Sequence, residues 1–576
     1  MGVKQGKQQL EAEEVAVTFG LPQSNTEVAD HIEHLNLAGK VRLFNAQDAI
    51  SADLLDVKMA LMPDGRSVPN IVDGNGSVMV KQTDREIRAD KMHVVLAPIS
   101  KSADDARDQR SIVSIGSGVG VESLDASGDV YVRDPANNLK VSRAKSLQCR
   151  MRGGKDLVAT TILSDSPEIY ARARFGDVAI HGHRIEINQD DQTVDVPGPG
   201  AAWMLTHEDF GGKKLSKAEP VRITWQDRMQ FNSGRDYGVF EGKVRTKSET
   251  FAIACDRLRV YLGSAPVEPP KPKSNLFADV WLLRKIVSRL AEHQGRTIAS
   301  PLMAQRKEPK SVVAEGSAMA LSNTHAPKSM DGRPGRLTSR AMIRGEKIQV
   351  DMSEQQMSVP GKGDLLIEDY QFDTGRSPTN AGLRSRSGPL LSSARDSGPS
   401  QTLVQWENSM DYYVDSNLVV FDKNVTMRHL SGQETVLGRE LAESMRMNAE
   451  ALKRLERGRK ATLSSGNLTL EFRMGEKKRS RGDDVTLMRA TDLERLIAKQ
   501  AVHLQDGTRS LMGEQLQYIA SIDEIRLEGS DTLEARITDQ DEMTQRLNMW
   551  RGPLLIWNRT TNRIEAPQAT IRSSSR

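Results

Sequence analysis

"IRADKMHVVL" (Ile87–Leu96) has an apolar residue at its first position, a small one at its third, an apolar one at its sixth and another at its eighth. Alternation at the first and third positions is strand periodicity, and so is alternation at the sixth, eighth and tenth, but the parity changes between them. A strand whose inward face changes parity bends or bulges at that point. The small third residue fits a backbone turned onto the core with little room for a side chain. The stretch therefore reads as a bent strand.

Six more windows align with it without a gap: "LEAEEVAVTF" from Leu10, "ISADLLDVKM" from Ile50, "IACDRLRVYL" from Ile253, "VLGRELAESM" from Val436, "LMGEQLQYIA" from Leu511 and "IEAPQATIRS" from Ile564. Several are preceded by a short alternating stretch that opens on glycine or a turn, such as "GSVMVKQTDRE" from Gly76, "GKVRTKSETFA" from Gly242, "KNVTMRHLSGQE" from Lys423 and "GPLLIWNRTTNR" from Gly552. Strand, polar turn and bent strand form a hairpin unit.

Larger blocks recur too. Ile180–Gly200 and Ile343–Gly363 share the phrase V-P-G-x-G at their ends. Trp225, Met229, Phe240 and Val244 have the spacing of Trp406, Met410, Phe421 and Val425. The chain is thus a diverged duplication of stacked β units. Its expected organisation is a first repeat array over 1–263, a Pro-rich linker over 264–275, an amphipathic helix insertion over 276–299, an irregular linker over 300–334, and a second array over 335–576 with a disordered loop at 374–400. The helix carries Leu276, Val280, Leu283, Val287 and Leu290 on one face and either docks on the array or lies on a membrane surface. A second helix is expected over Ala442–Arg459.

Composition agrees with a thin core. Of 576 residues 38% are hydrophobic and only 4% aromatic, which suits many small cross-sections better than one large interior. Eighty Lys plus Arg against 77 Asp plus Glu leave a net +3, too little for a global field that would draw nucleic acid. Local basic runs at Glu476–Arg481 and Leu452–Lys460 read as solvated faces, or as contacts to phosphates. Cys149 and Cys255 do not form a C-x-x-C site, and sequence leaves a single disulfide between them open. No apolar run is long enough to span a membrane as a helix. The first residues lack the apolar core of a signal peptide, so either the protein stays inside or the chain begins past its true N-terminus.

Chemistry-bearing patterns are sparse. His181 and His183, two apart on a strand, face one side where a metal could bridge them, but no third ligand has telling spacing. His31 and His34 have the spacing of one helix face without the H-E-x-x-H pattern. "IGSGVGV" (Ile115–Val121) is followed by strand-like sequence, not by the helix a phosphate loop requires. "NQDDQ" (Asn188–Gln192) offers oxygen ligands for calcium, but it falls where a hairpin turn is needed and reads as turn residues. The expectation is a non-enzymatic protein with no catalytic residues, metal or cofactor.

The small-residue windows, especially "LMGEQLQY" and "IRADKMHVVL", and glycine-led strands such as "FEGKVRT" resemble the OstA-like β-jellyroll family of periplasmic lipopolysaccharide-transport proteins, in a large multi-repeat form. The resemblance implies an all-β fold of elongated, stacked, V-shaped two-sheet β-jellyroll repeats, here with one or two inserted helices. It also implies lipid or lipopolysaccharide held in an apolar groove, end-to-end joining with other envelope β-jellyroll proteins, and a periplasmic or outer-membrane-associated location in outer membrane biogenesis. Val15, Leu54, Met92 and Leu258, taken as the inward row of the windows, are the candidate groove residues. Two other readings stand beside it: a structural or adhesive β-repeat scaffold with a packed interior, and a parallel β-helix acting on polysaccharide, for which no row of carboxylates is found.

Overall fold

The computed structural model describes thirty-five strands between Gly2 and Ser574 with most of the turns between them. Residues 21–30, 99–118, 265–306, 326–334, 371–399, 432–458 and 473–492, with several shorter turns, lie outside the described residues. The described residues are all-β, apart from one turn of 3-10 helix at Ala520–Ile522, and form one antiparallel sheet.

Pairing follows chain order. Asp48–Leu61, Ser67–Gln82, Arg85–Pro98, Val119–Asp134 and Leu139–Arg152 each pair with the strand before and the strand after. Each long strand has two arms joined at an elbow. Where the elbow breaks the strand, the arms pair separately: Gln8–Glu11 and Glu14–Gly20 both lie against His31–Phe44. Likewise Thr193–Pro197 pairs with Arg184–Asn188, and Gly200–Glu208 with Val178–Gly182.

Two kinds of elbow alternate along the sheet. One is a buried small residue followed by an acid: Ala12-Glu13, Ala52-Asp53, Ala89-Asp90 and Cys255-Asp256. The other is a dipeptide whose residues both have positive φ: Gly39-Lys40, Gly76-Ser77, Gly128-Asp129 and Gly316-Ser317. At each junction the second kind inserts one residue more than its neighbour, which is a β-bulge. The acid of one elbow lies over the glycine of the next. A Cβ on Gly76 would stand 2.2 Å from Asp53 Oδ2 and 2.8 Å from Asp53 Cβ. In the windows from Leu10, Ile50, Ile87 and Ile253 the small third residue and the acid after it are thus two parts of one corner, whereas the window from Val436 lies outside the described residues.

The V-P-G-x-G phrase builds a tighter elbow, twice. Gly198 and Gly361 turn the chain with φ of +80° and +83°. Trp225 Nε1 donates to the Gly198 carbonyl at 3.1 Å, and Trp406 Nε1 to that of Gly361 at 3.0 Å. The two indoles rest on Phe240 and Phe421, with ring centroids 5.6 and 5.3 Å apart. Gly200 and Gly363 are bare because a Cβ on either would reach 2.4 Å from the indole.

Two expectations change. Within the expected irregular linker 300–334, the rest of which lies outside the described residues, Lys307–His325 is a nineteen-residue strand paired with Phe251–Ser264 on one side and Leu337–Asp351 on the other. Its alanines and serines carry weak strand propensity, which hid its alternation. The two expected arrays are therefore joined by one uninterrupted ladder. The helices expected at 276–299 and 442–459 and the loop at 374–400 lie outside the described residues, except that Arg459 and Ser400 open strands.

Gly76→Ala should destabilise the protein by about 2–4 kcal/mol, because strained φ and the collision with Asp53 add. Gly198→Ala, whose Cβ would meet nothing within 4 Å, should cost only the backbone strain of about 1–2 kcal/mol. Chemical denaturation of the two variants measures the difference.

Candidate functional site

The inward residues of both arms make one apolar core cluster that includes Ala12 near one end and Trp557 near the other. Met92 and Leu258 belong to it, at 4% and 0% exposure, and Val15 packs against it from a half-buried position. Leu54 does not belong. It stands at the fifth position of its window, on the opposite face from Ala52, and the inward residue is Leu55 at the sixth. Counting from the elbow, not along unbroken alternation, finds the right residue.

Between the arms lies an apolar cavity of about 20 Å³ lined by Ile50, Leu55, Val72, Val78, Met92 and Leu124. That is room for about one water, against the roughly 300–1,000 Å³ of a small-molecule pocket. Its walls offer no polar partner, so the space is suited to hydrocarbon. The interior row is brought together as a closed seam.

The other candidates have local roles. His181 and His183 fall on either side of the elbow at Gly182 and diverge. The His181 ring lies 4.1 Å from Trp203, whereas His183 contacts Tyr170 at 4.5 Å and Ser164 Oγ at 3.2 Å. His31 and His34 stand on a strand, not a helix, and His34 bonds Asp56 at 2.6 Å across it. Asn188–Gln192 closes a turn in which Asn188 Oδ1 accepts the Asp191 N–H at 3.1 Å. Val119–Val121 opens a strand, and the preceding glycines lie outside the described residues. Cys149 and Cys255 are both free, and burial pushes their thiols up to about 11 and about 12.

A feature not found from sequence lies on the outer face. The register places Arg133, Lys140, Arg174, Trp203, Arg222 and Lys247 in one row and Arg172, His181, Thr224 and Arg245 in the next, all facing away from the core. The Arg222 guanidinium sits over the Trp203 ring at 5.0 Å. Burial, and then the positive charges of Arg172, Arg143 and Arg222, hold the His181 imidazole down at about 4.

No protein-family model matches the chain, and no curated protein is significantly similar to it. Among solved structures, the crystal structure of TcdB2-TccC3-TEV aligns at 8% identity with a TM-score of 0.07. The alignment covers 96% of this chain and 35% of that one, and a likeness so low bears on neither fold nor function.

The folded His181 titrates below its ordinary value of 6.5, so protonation favours the unfolded chain. Its contribution is intact above about pH 6.5 and is lost as pH falls through about 4. Denaturation midpoints of wild type and His181→Gln between these pH values should converge on acidification, with the wild type losing more stability.

Proposed function

We propose that the chain is a non-enzymatic bacterial cell-envelope protein of the OstA-like kind, an elongated two-winged β-jellyroll array whose apolar interior binds or conducts a lipopolysaccharide-like lipid in the periplasm or at the outer membrane. The observation that carries this reading is the single apolar seam, lined from both arms and passing from strand to strand through the described sheet. Bent strands leave the arms joined only at their elbows. An acyl chain would enter by parting them, displacing side chains such as Met92 that repack readily.

The sheet edges suit end-to-end partners. Glu14–Gly20 pairs only with His31–Phe44 among the described residues, leaving its other edge bare beside exposed Phe19 and Val17. An envelope β-jellyroll protein of the same kind would extend the sheet there.

A second reading, a structural or adhesive scaffold without transport, is favoured by one fact: Met92 and Leu258 are closed over and the cavity is small. The experiment that separates them is mass spectrometry of lipid co-purifying from a Gram-negative host, with Met92→Asp and Met92→Trp beside the wild type and folding checked by circular dichroism. The lipid reading expects stoichiometric lipid on the wild type and loss of most of it from whichever variant remains folded. A wild type that stays empty even after challenge with lipopolysaccharide gives the scaffold reading the field.

A further inference from the structure

The outer face opposite the apolar seam carries its own chemistry. Across seven neighbouring strands, roughly 30 Å at about 4.8 Å per strand, Arg133, Lys140, Arg172, Arg222, Arg245 and Lys247 are exposed on one side of the sheet. No acidic side chain stands in these two rows between Arg133 and Lys247. Glu86 closes the first row beyond Arg133 and is paired with Arg88.

We propose that this face binds the phosphate headgroups of an anionic lipid surface. The inference is independent of whether the interior holds lipid. Guanidinium groups present planar N–H forks that match phosphate oxygens, and Arg222 keeps its N–H edge available while its face rests on Trp203. Trp203, half-buried between Arg222 and His181, has the apolar body and polar edge that settle at a headgroup boundary. The cations are spread in two dimensions, along the strands and across them, as headgroups are spread over a surface. A single-stranded nucleic acid would call instead for a line of aromatic platforms along a groove, and this face carries two separate rings, Trp203 beside Arg222 and Tyr131 beside Lys140. The whole chain carries only +3, so attraction to anions here comes from the local cluster and not from a general positive charge.

Co-sedimentation of the full chain with vesicles of phosphatidylglycerol mixed with phosphatidylcholine, and with vesicles of phosphatidylcholine alone, tests the proposal. The wild type should bind the mixed vesicles and not the neutral ones, with affinity falling as salt rises. Combining Arg172→Gln, Arg222→Gln and Arg245→Gln should weaken binding about a hundredfold, because each surface cation contributes about a factor of five. A second set, Arg133→Gln, Lys140→Gln and Lys247→Gln, should do the same from the first row, so a folding defect in one set leaves the other decisive. Unchanged binding by a folded variant set would overturn the proposal. So would displacement by inorganic phosphate beyond that caused by chloride of equal ionic strength, which would mean an isolated phosphate site. Tighter binding of a single-stranded oligonucleotide than of the vesicles would overturn it in favour of nucleic acid.

Discussion

The fold depends on a corner in which one strand's acid is pressed over the next strand's glycine. A flat antiparallel sheet this long would expose both faces and bury nothing. Bending every strand at the same height brings two apolar arms together and creates the seam. The bend needs two successive residues with positive φ on one strand and a short, buried residue on its neighbour. Gly39, Gly76, Gly128 and Gly316 supply the first requirement, and Ala12, Ala52, Ala89 and Cys255 the second. The tryptophan elbows at Gly198 and Gly361 turn differently, with one positive-φ glycine each, held by an indole hydrogen bond.

Because the elbows recur along the chain, the core is built in slices. Each strand contributes a few inward side chains, such as Val244 from one and Cys255, Leu258 and Val260 from the next. A buried aliphatic side chain contributes about 1.5–3 kcal/mol, so a slice is marginal alone and gains from both neighbours. This fits the low aromatic content: most slices are filled by aliphatic side chains, and rings enter at a few places such as Trp225 on Phe240, Trp406 on Phe421, and Tyr518.

Much of this architecture was readable from the residues. The parity change in "IRADKMHVVL" located the elbows, and the paired V-P-G-x-G phrases marked a true structural repeat. What failed did so for physical reasons. Leu54 stands at the fifth position of its window, one short of the sixth-position row of Val15, Met92 and Leu258, and one step along a strand changes faces, so Leu55 is the buried neighbour. Lys307–His325 escaped because Ala and Ser form strands only when both neighbours demand it. The basic outer face was invisible to a search for charge runs, since its cations alternate with inward residues and gather only across strands. "ARARF" (Ala171–Phe175) and "KVRTK" (Lys243–Lys247) held the signal, but only register could align them. The interior seam was predicted as a groove, and sequence gave no measure of how closely it is packed.

Small-angle X-ray scattering tests the central claim, a serial array of elbowed strands, most directly. About two dozen rungs at roughly 4.8 Å each make a body more than 100 Å long. The account predicts a radius of gyration above about 30 Å and a distance distribution with a long tail, whereas a compact chain of this length would give about 25 Å. A value near the compact figure, with a symmetric distribution, would contradict the serial pairing on which the seam, the corners and the outer face all rest.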